Sequence, residues 1–161
     1  MKFSKVRDVK SPERGTGRAA GIDFFIPNDF KDYVLIPRHD ILIPSGIKME
    51  IPEGYMLMGA DKSGIVASSY ACVLARRESK HGYDTNLIIG AKIIDEDYQG
   101  EIHIHVINVG GMPFELRPGM KIAQFILVPV SYEALEEVPE TDLFARRSER
   151  GEGGFGSTGQ N

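Results

Sequence analysis

"IIDEDYQGEIHIHVIN", residues 93 to 108, is the stretch on which the reading of the fold turns. From Glu101 to Val106 polar and apolar residues alternate strictly, so Ile102, Ile104 and Val106 share one face and Glu101, His103 and His105 the other. A period of two marks a half-buried strand, because successive side chains point to opposite faces of a sheet. Ahead of it, the acidic triplet Asp95, Glu96 and Asp97 lies between two strand-like runs, and Gly100 follows. That composition predicts a hairpin turn. Asp95 directly follows two isoleucines and is expected to point inward. A carboxylate at an apolar hairpin mouth can act as a general base with a raised pKa, or anchor a metal through water. Tyr98, three residues on, would flank whatever Asp95 faces.

Outward from this stretch the texture repeats. "YVLIP" (33–37), "DILIPSGIKMEIPEGYMLMG" (40–59) and "KIAQFILVPV" (121–130) are short apolar runs punctuated by Gly, Pro or Asp, and they too read as strands. Only residues 70–82, "YACVLARRESKHG", and 131–138, "SYEALEEV", are candidates for helix, each at or below the length at which helices hold on their own. An all-β barrel or sandwich is expected. At 161 residues the chain suits one domain, and the polar approach 145–154 to the C-terminus is the one candidate for mobility.

Net charge is −4, so a nucleic-acid polymer would need a local basic patch working against the overall field, and no such partner is expected. The single cysteine, Cys72, cannot form an internal bridge, and "MKFSKVRDVK" has no apolar run resembling a signal peptide. No segment approaches the roughly 18 to 20 apolar residues of a membrane helix, and a cytoplasmic protein is expected, in the host cell if the source is a phage or virus.

Several residue groups could carry chemistry. The chain ends "RGEGGFGSTGQN", in which Gly151, Gly153 and Gly156 spell G-x-G-x-x-G. The Rossmann reading of that spacing needs a helix after the loop to hold a pyrophosphate, and only five residues follow Gly156. A P-loop fails as well, for want of a Lys-Ser or Lys-Thr pair at the required place. What is left is an arm rich in free backbone N–H groups. "GADKSGIVA" offers Lys62, Ser63 and the backbone at Gly64 as a small phosphate-binding loop. Asp23 in "AAGIDFF" is an acid among apolar neighbours, which must be paired, hydrated or functional. Gln124 in "RPGMKIAQFIL" stands in an apolar strand, and its amide needs a partner. His103 and His105 would permit a barrel metal site, but a third ligand from another strand is required and neither His39 nor His81 is placed to supply it.

Taken in order, "AAGIDFF", "DKSGI", "IIDEDYQGEI", "RPGMKIAQFIL" and "RGEGGFGSTG" resemble the five motifs of the trimeric dUTP diphosphatases, or dUTPases, from about Ala19 to Gly159. The resemblance implies a jelly-roll-like β-domain over residues 1–149, a homotrimer with three sites at subunit junctions, and a flexible arm, 150–161, closing over a neighbour's site. It implies hydrolysis of dUTP to dUMP and pyrophosphate, which keeps uracil out of DNA and supplies dUMP for thymidylate synthesis. By matched position, Asp95 resembles the general base that orients water toward the α-phosphorus, and Asp23 the acid that acts on Mg²⁺ through water while the substrate phosphates hold the ion. Lys62, Ser63, Gly64 and Gln124 match phosphate contacts, and Arg150, Gly154, Gly156, Ser157 and Thr158 the contacts of the arm, with Phe155 over the uracil ring. Tyr98 matches the tyrosine that packs under deoxyribose and leaves no room for a 2′-hydroxyl, and Asn86 sits near the family's uracil-reading amide.

The sequence departs from the family in three places. The second motif usually begins Pro-Arg-Ser-Gly, where this chain has Asp61-Lys62-Ser63-Gly64. Residues 68–79, "SSYACVLARRES", are inserted between motifs, and the arm ahead of Asp95 is two residues longer than usual. The insertion, with Arg76 and Arg77, suits an acidic protein partner, so a dUTPase-fold regulator is a rival reading. A dCTP deaminase-like enzyme shares the fold but is not expected to carry the arm or "DEDYQGE".

Overall fold

The structure is a computed structural model and describes residues 1–61, 86–146, 148–149 and 151. The chain divides into two compact units, Met1–Ser131 and Tyr132–Asn161. The boundary expected from sequence, at 149/150, falls inside the second.

Among the described residues the first unit carries twelve strands: β1 (Lys2–Lys5), β2 (Glu13–Arg14), β3 (Gly21–Phe25), β4 (Tyr33–Leu35), β5 (Asp40–Pro44), β6 (Ile47–Glu50), β7 (Tyr55–Ala60), β8 (Leu87–Ile89), β9 (Ile93–Ile94), β10 (His103–Asn108), β11 (Phe114–Leu116) and β12 (Lys121–Pro129). They form a five-stranded sheet in the order β2-β3-β12-β7-β9, a three-stranded sheet β5-β10-β8, and two-stranded pairs β1-β6 and β11-β4. All the pairings are antiparallel. The all-β, jelly-roll-like class expected from sequence is the class observed.

β10 shows why the alternation matters. Ile102, Ile104 and Val106 are buried while His103 and His105 are only half-buried, so the apolar face joins the core. The same face continues to Asn108, which is fully buried yet satisfied: its amide donates to the carbonyls of Leu35 (2.9 Å) and Met112 (2.8 Å) and accepts from the Gly110 N–H at 3.0 Å. β12 is the spine of the five-stranded sheet, paired on both edges, and its Phe125 packs against Phe24 of β3 with ring centroids 4.7 Å apart. The turn ahead of β12 is set by Gly119, whose φ of +75° lies in the left-handed region that glycine occupies without strain.

Two expectations are corrected. Asp95 to Gly100 do not close a hairpin: β9 pairs with β7 in the five-stranded sheet, whereas β10 pairs with β5 and β8, so the segment carries the chain from one sheet to another. Alternation fixes which face of a strand is buried and leaves open which distant strand it pairs with. Residues 131–138 form no helix. Leu135 is fully exposed, Pro139 follows at once, and a segment this short with no face to bury has nothing to offset the cost of nucleation. Among the described residues the only helical turn is the 3-10 turn Glu140–Asp142. The other helix candidate, 70–82, lies outside the described residues.

Candidate active site

The strand order of the five-stranded sheet gathers the motif residues. Gln124, in the middle of β12, lies opposite Asp23 of β3 on one side and Ala60 of β7 on the other, with Asp61 next in the chain. The Gln124 amide finds its partner there, donating from Nε2 to the main-chain carbonyl of Asp61 at 2.9 Å. Gly21 makes room for it, because a Cβ at that position would stand 2.3 Å from Gln124 Oε1.

Asp23 is only 6% exposed, and the ammonium of Lys121 donates to its Oδ2 at 2.7 Å. Lys121 also lies 3.6 Å from Glu13, which in turn accepts from Lys10 at 2.8 Å. Lys10 and Lys121 both sit over the ring of Phe25, at 4.5 and 5.5 Å from its centroid. The hydrogen bond to Asp23 holds the Lys121 pKa above the usual lysine range, with partial burial pulling the other way. A raised lysine pKa stabilises the fold fully below the unfolded value of about 10.4, and that contribution is lost as pH rises through the higher folded value. Lys121→Met should therefore be less stable than the native chain at pH 8, with the difference shrinking above about pH 10.5; urea unfolding from pH 8 to 11.5 measures it.

Asp95 stands elsewhere. Ile94 is paired with Leu57 on β7, so Asp95 falls one step beyond, level with Met56, while Gln124 is level with Ala60. Four residues along the strand and two strands across amount to about 16 Å within one chain, at about 3.3 Å per residue and 4.8 Å per strand. The expectation that Asp95 points inward is corrected: it follows the edge strand β9 and is exposed. The acid that turns back to the protein is Glu96, whose carboxylate accepts from the Gly54 N–H at 2.5 Å. The turn is closed by the Tyr98 N–H donating to the Asp95 carbonyl at 3.2 Å. Tyr98 donates its hydroxyl to the Glu101 carbonyl at 2.8 Å and lays its ring over Gly100, where a Cβ would come within 2.3 Å of that hydroxyl oxygen. Asn86, just before β8, has a buried Oδ1 with no hydrogen-bond partner among the described residues.

The histidines of β10 have protein partners of their own. His103 Nδ1 lies 2.8 Å from the Glu101 carbonyl, while His105 Nε2 lies 2.8 Å from Asp40 Oδ2 and its Nδ1 accepts from the Ala91 N–H at 3.2 Å. No group of three metal-binding side chains converges among the described residues. Of the residues singled out in the sequence, Asp23 and Gln124 come together, Asp95 and Tyr98 form a second group, and Asn86 lies at the start of β8. Lys62, Ser63, Gly64, Arg150, Gly154, Phe155, Gly156, Ser157 and Thr158 lie outside the described residues. Two further residues belong to the site. Lys121 carried no signal, because its pairing with Asp23 is made only by strand register. Asp61 did carry one, standing where the family usually has proline.

Fold and ordered motifs together define an all-β nucleotide hydrolase. The family model described as dUTPase matches residues 7–159. The mouse deoxyuridine 5′-triphosphate nucleotidohydrolase is 37% identical over 162 residues, covering 100% of this chain and 86% of the mouse protein. The Staphylococcus bacteriophage 80alpha dUTPase with dUPNHPP superposes with a TM-score of 0.77 at 26% identity, over 98% of this chain and 97% of that one, and belongs to work on phage dUTPases that control transfer of virulence genes. A mutant dUTPase from phage phi11 of S. aureus, which coordinates a structural Mg(II) ion, shares the fold with a TM-score of 0.67 at 23% identity, over 86% of this chain and 96% of that one. The chain belongs to the dUTPase family. No helix of the described residues is long and apolar enough to cross a membrane.

Proposed function

We propose that the protein hydrolyses dUTP to dUMP and pyrophosphate in sites built at the subunit junctions of a homotrimer. The match of residues 7–159 to the dUTPase family carries the reading. The separation of about 16 Å between Asp95 and Gln124 within one chain favours a shared site, since catalytic and phosphate-binding groups must meet around one substrate within a few ångströms. An exposed Asp95 just past the edge strand β9 is placed to serve a neighbouring chain.

In this reading Asp95 accepts the proton of the water that attacks the α-phosphorus, and Gln124 with Lys62, Ser63 and Gly64 donates to phosphate oxygens as charge builds on them. Tyr98 backs the deoxyribose. The buried Oδ1 of Asn86, without a hydrogen-bond partner among the described residues, is an acceptor available to the uracil edge. Arg150, Gly154, Phe155, Gly156, Ser157 and Thr158 belong to the arm that completes a site, with residues 1–149 as the β-domain. The donor set suits Mg²⁺: one buried carboxylate, Asp23, already paired with Lys121, would reach a hard cation through its water, the substrate phosphates taking the remaining positions. When bound, the ion would offset phosphate charge and help orient the triphosphate. The cytoplasm is the proposed place of action.

Product analysis after incubation with dUTP, dCTP, dTTP and UTP tests the proposal. The expected result is dUMP and pyrophosphate from dUTP, with dTTP and UTP largely spared; UTP turnover at a comparable rate, or ammonia from dCTP, would falsify it. A second role, binding an acidic protein partner through residues 68–79, is supported by the basic pair Arg76 and Arg77 and is compatible with catalysis in the same chain.

A further inference from the structure

We propose that Asp61 is a positioning residue that braces the phosphate-binding side chain Gln124 against the strand leading to Asp95. The inference rests on the function proposed above and adds a role for a residue that the family does not usually carry.

Among the described residues β8 is the outer strand of its sheet, so alternate N–H groups along it face away from β10, its one partner there. Gly90 donates to the His105 carbonyl at 2.9 Å, toward β10, which leaves the Ile89 N–H facing the other way. Its acceptor is Asp61 Oδ1, at 2.7 Å. The main-chain carbonyl of the same residue accepts from Gln124 Nε2 at 2.9 Å. One residue therefore joins the central strand of the five-stranded sheet to the outer strand of the three-stranded one.

The surroundings make the joint tight. Gly59, two residues earlier on β7, donates to the Lys92 carbonyl at 2.6 Å, and a Cβ on it would stand 3.1 Å from Ile89. Residues 89 to 92 are thus held by Asp61 at Ile89, by His105 at Gly90 and Ala91, and by Gly59 at Lys92. They run directly into β9 and Asp95. Proline, the usual residue at position 61 in the family, would keep the carbonyl for Gln124 but has no side-chain acceptor for Ile89. The brace to β8 is a device of this chain, and an ionised acceptor makes it stronger than a neutral one would.

Removing the carboxylate should cost rate more than fold, because displacements of about 1 Å in a positioned group are enough to lose up to ~10²-fold in turnover. Three chains are compared: native, Asp61→Ala and Asp61→Asn. Asn keeps an oxygen at the same reach, so Asp61→Asn should stay within about threefold of native kcat/KM. Asp61→Ala should lose roughly tenfold, mostly in kcat, while hydrogen exchange at the Ile89 amide accelerates in Asp61→Ala alone. Native kcat/KM in Asp61→Ala, unchanged Ile89 exchange, or an equal loss in both variants would overturn the proposal. A native chain without dUTP turnover would sink the functional reading instead, and the Ile89 exchange would still report on the brace.

Discussion

Asp95→Asn should lower dUTP turnover by at least ~10²-fold, the lower end of what a general base contributes, while leaving nucleotide binding in place. The substitution keeps the size of the side chain and its capacity to accept a hydrogen bond, and removes its ability to take a proton from water. Its effect on stability should be small. Asp95 is exposed, and the turn around it is held by other groups: the Tyr98 N–H on the Asp95 carbonyl and the Glu96 carboxylate on Gly54. Exposed substitutions outside such contacts usually change stability by no more than about 0.5 kcal/mol. Single-turnover kinetics beside equilibrium binding of a non-hydrolysable dUTP analogue separates the two quantities. Near-native turnover would mean that the water is activated elsewhere. Glu96 supplies the contrast, because Glu96→Gln alters an acid of the same turn that is engaged with the backbone at Gly54, and it should spare the chemical step.

What could be read in the sequence follows from the range of the physics involved. Strand identity is local: the alternation through Ile102, Ile104 and Val106 needs only the pleat, and the apolar runs at β5 to β7 and β12 need only their breakers. Partnership is not local. The acidic triplet predicts a hairpin because turn composition says where a chain bends, while the pairing of β9 with β7 and of β10 with β5 and β8 depends on segments far away in the chain. Strands with little apolar content, β1 and β2, carry no such signal, since an exposed edge strand leaves no hydrophobic pattern. The site divides in the same way. Asp23 and Gln124 stand out as polar groups in apolar strands, and burial does force partners on both, but that Lys121 and Asp61 are those partners is decided only by strand register. The two isoleucines before Asp95 predict an inward-pointing carboxylate, but Ile93 is itself exposed on the edge strand and Asp95 is exposed with it.

Deleting residues 150–161 should reduce turnover steeply while the melting point of the trimer hardly moves. The segment holds Arg150, five glycines between Gly151 and Gly159, and Phe155 as its one aromatic. Glycines lose more conformational freedom on ordering than any other residue, so such a segment adds little to the stability of the free protein and is ordered at a cost that phosphate and base contacts must offset. Contacts made only around bound nucleotide act on turnover. Twelve residues extend to about 40 Å at ~3.3 Å each, enough to reach a neighbouring subunit. The sharper test mixes this truncated chain with Asp95→Asn chains and lets subunits exchange. Each parent trimer lacks either every arm or every base. If sites are shared, some mixed trimers bring an intact Asp95 and an intact arm from different chains to one site, and activity should partly return. Exchange demonstrated by mass spectrometry with no return of activity would show either that the arm closes over its own subunit or that the site is not shared in the way proposed.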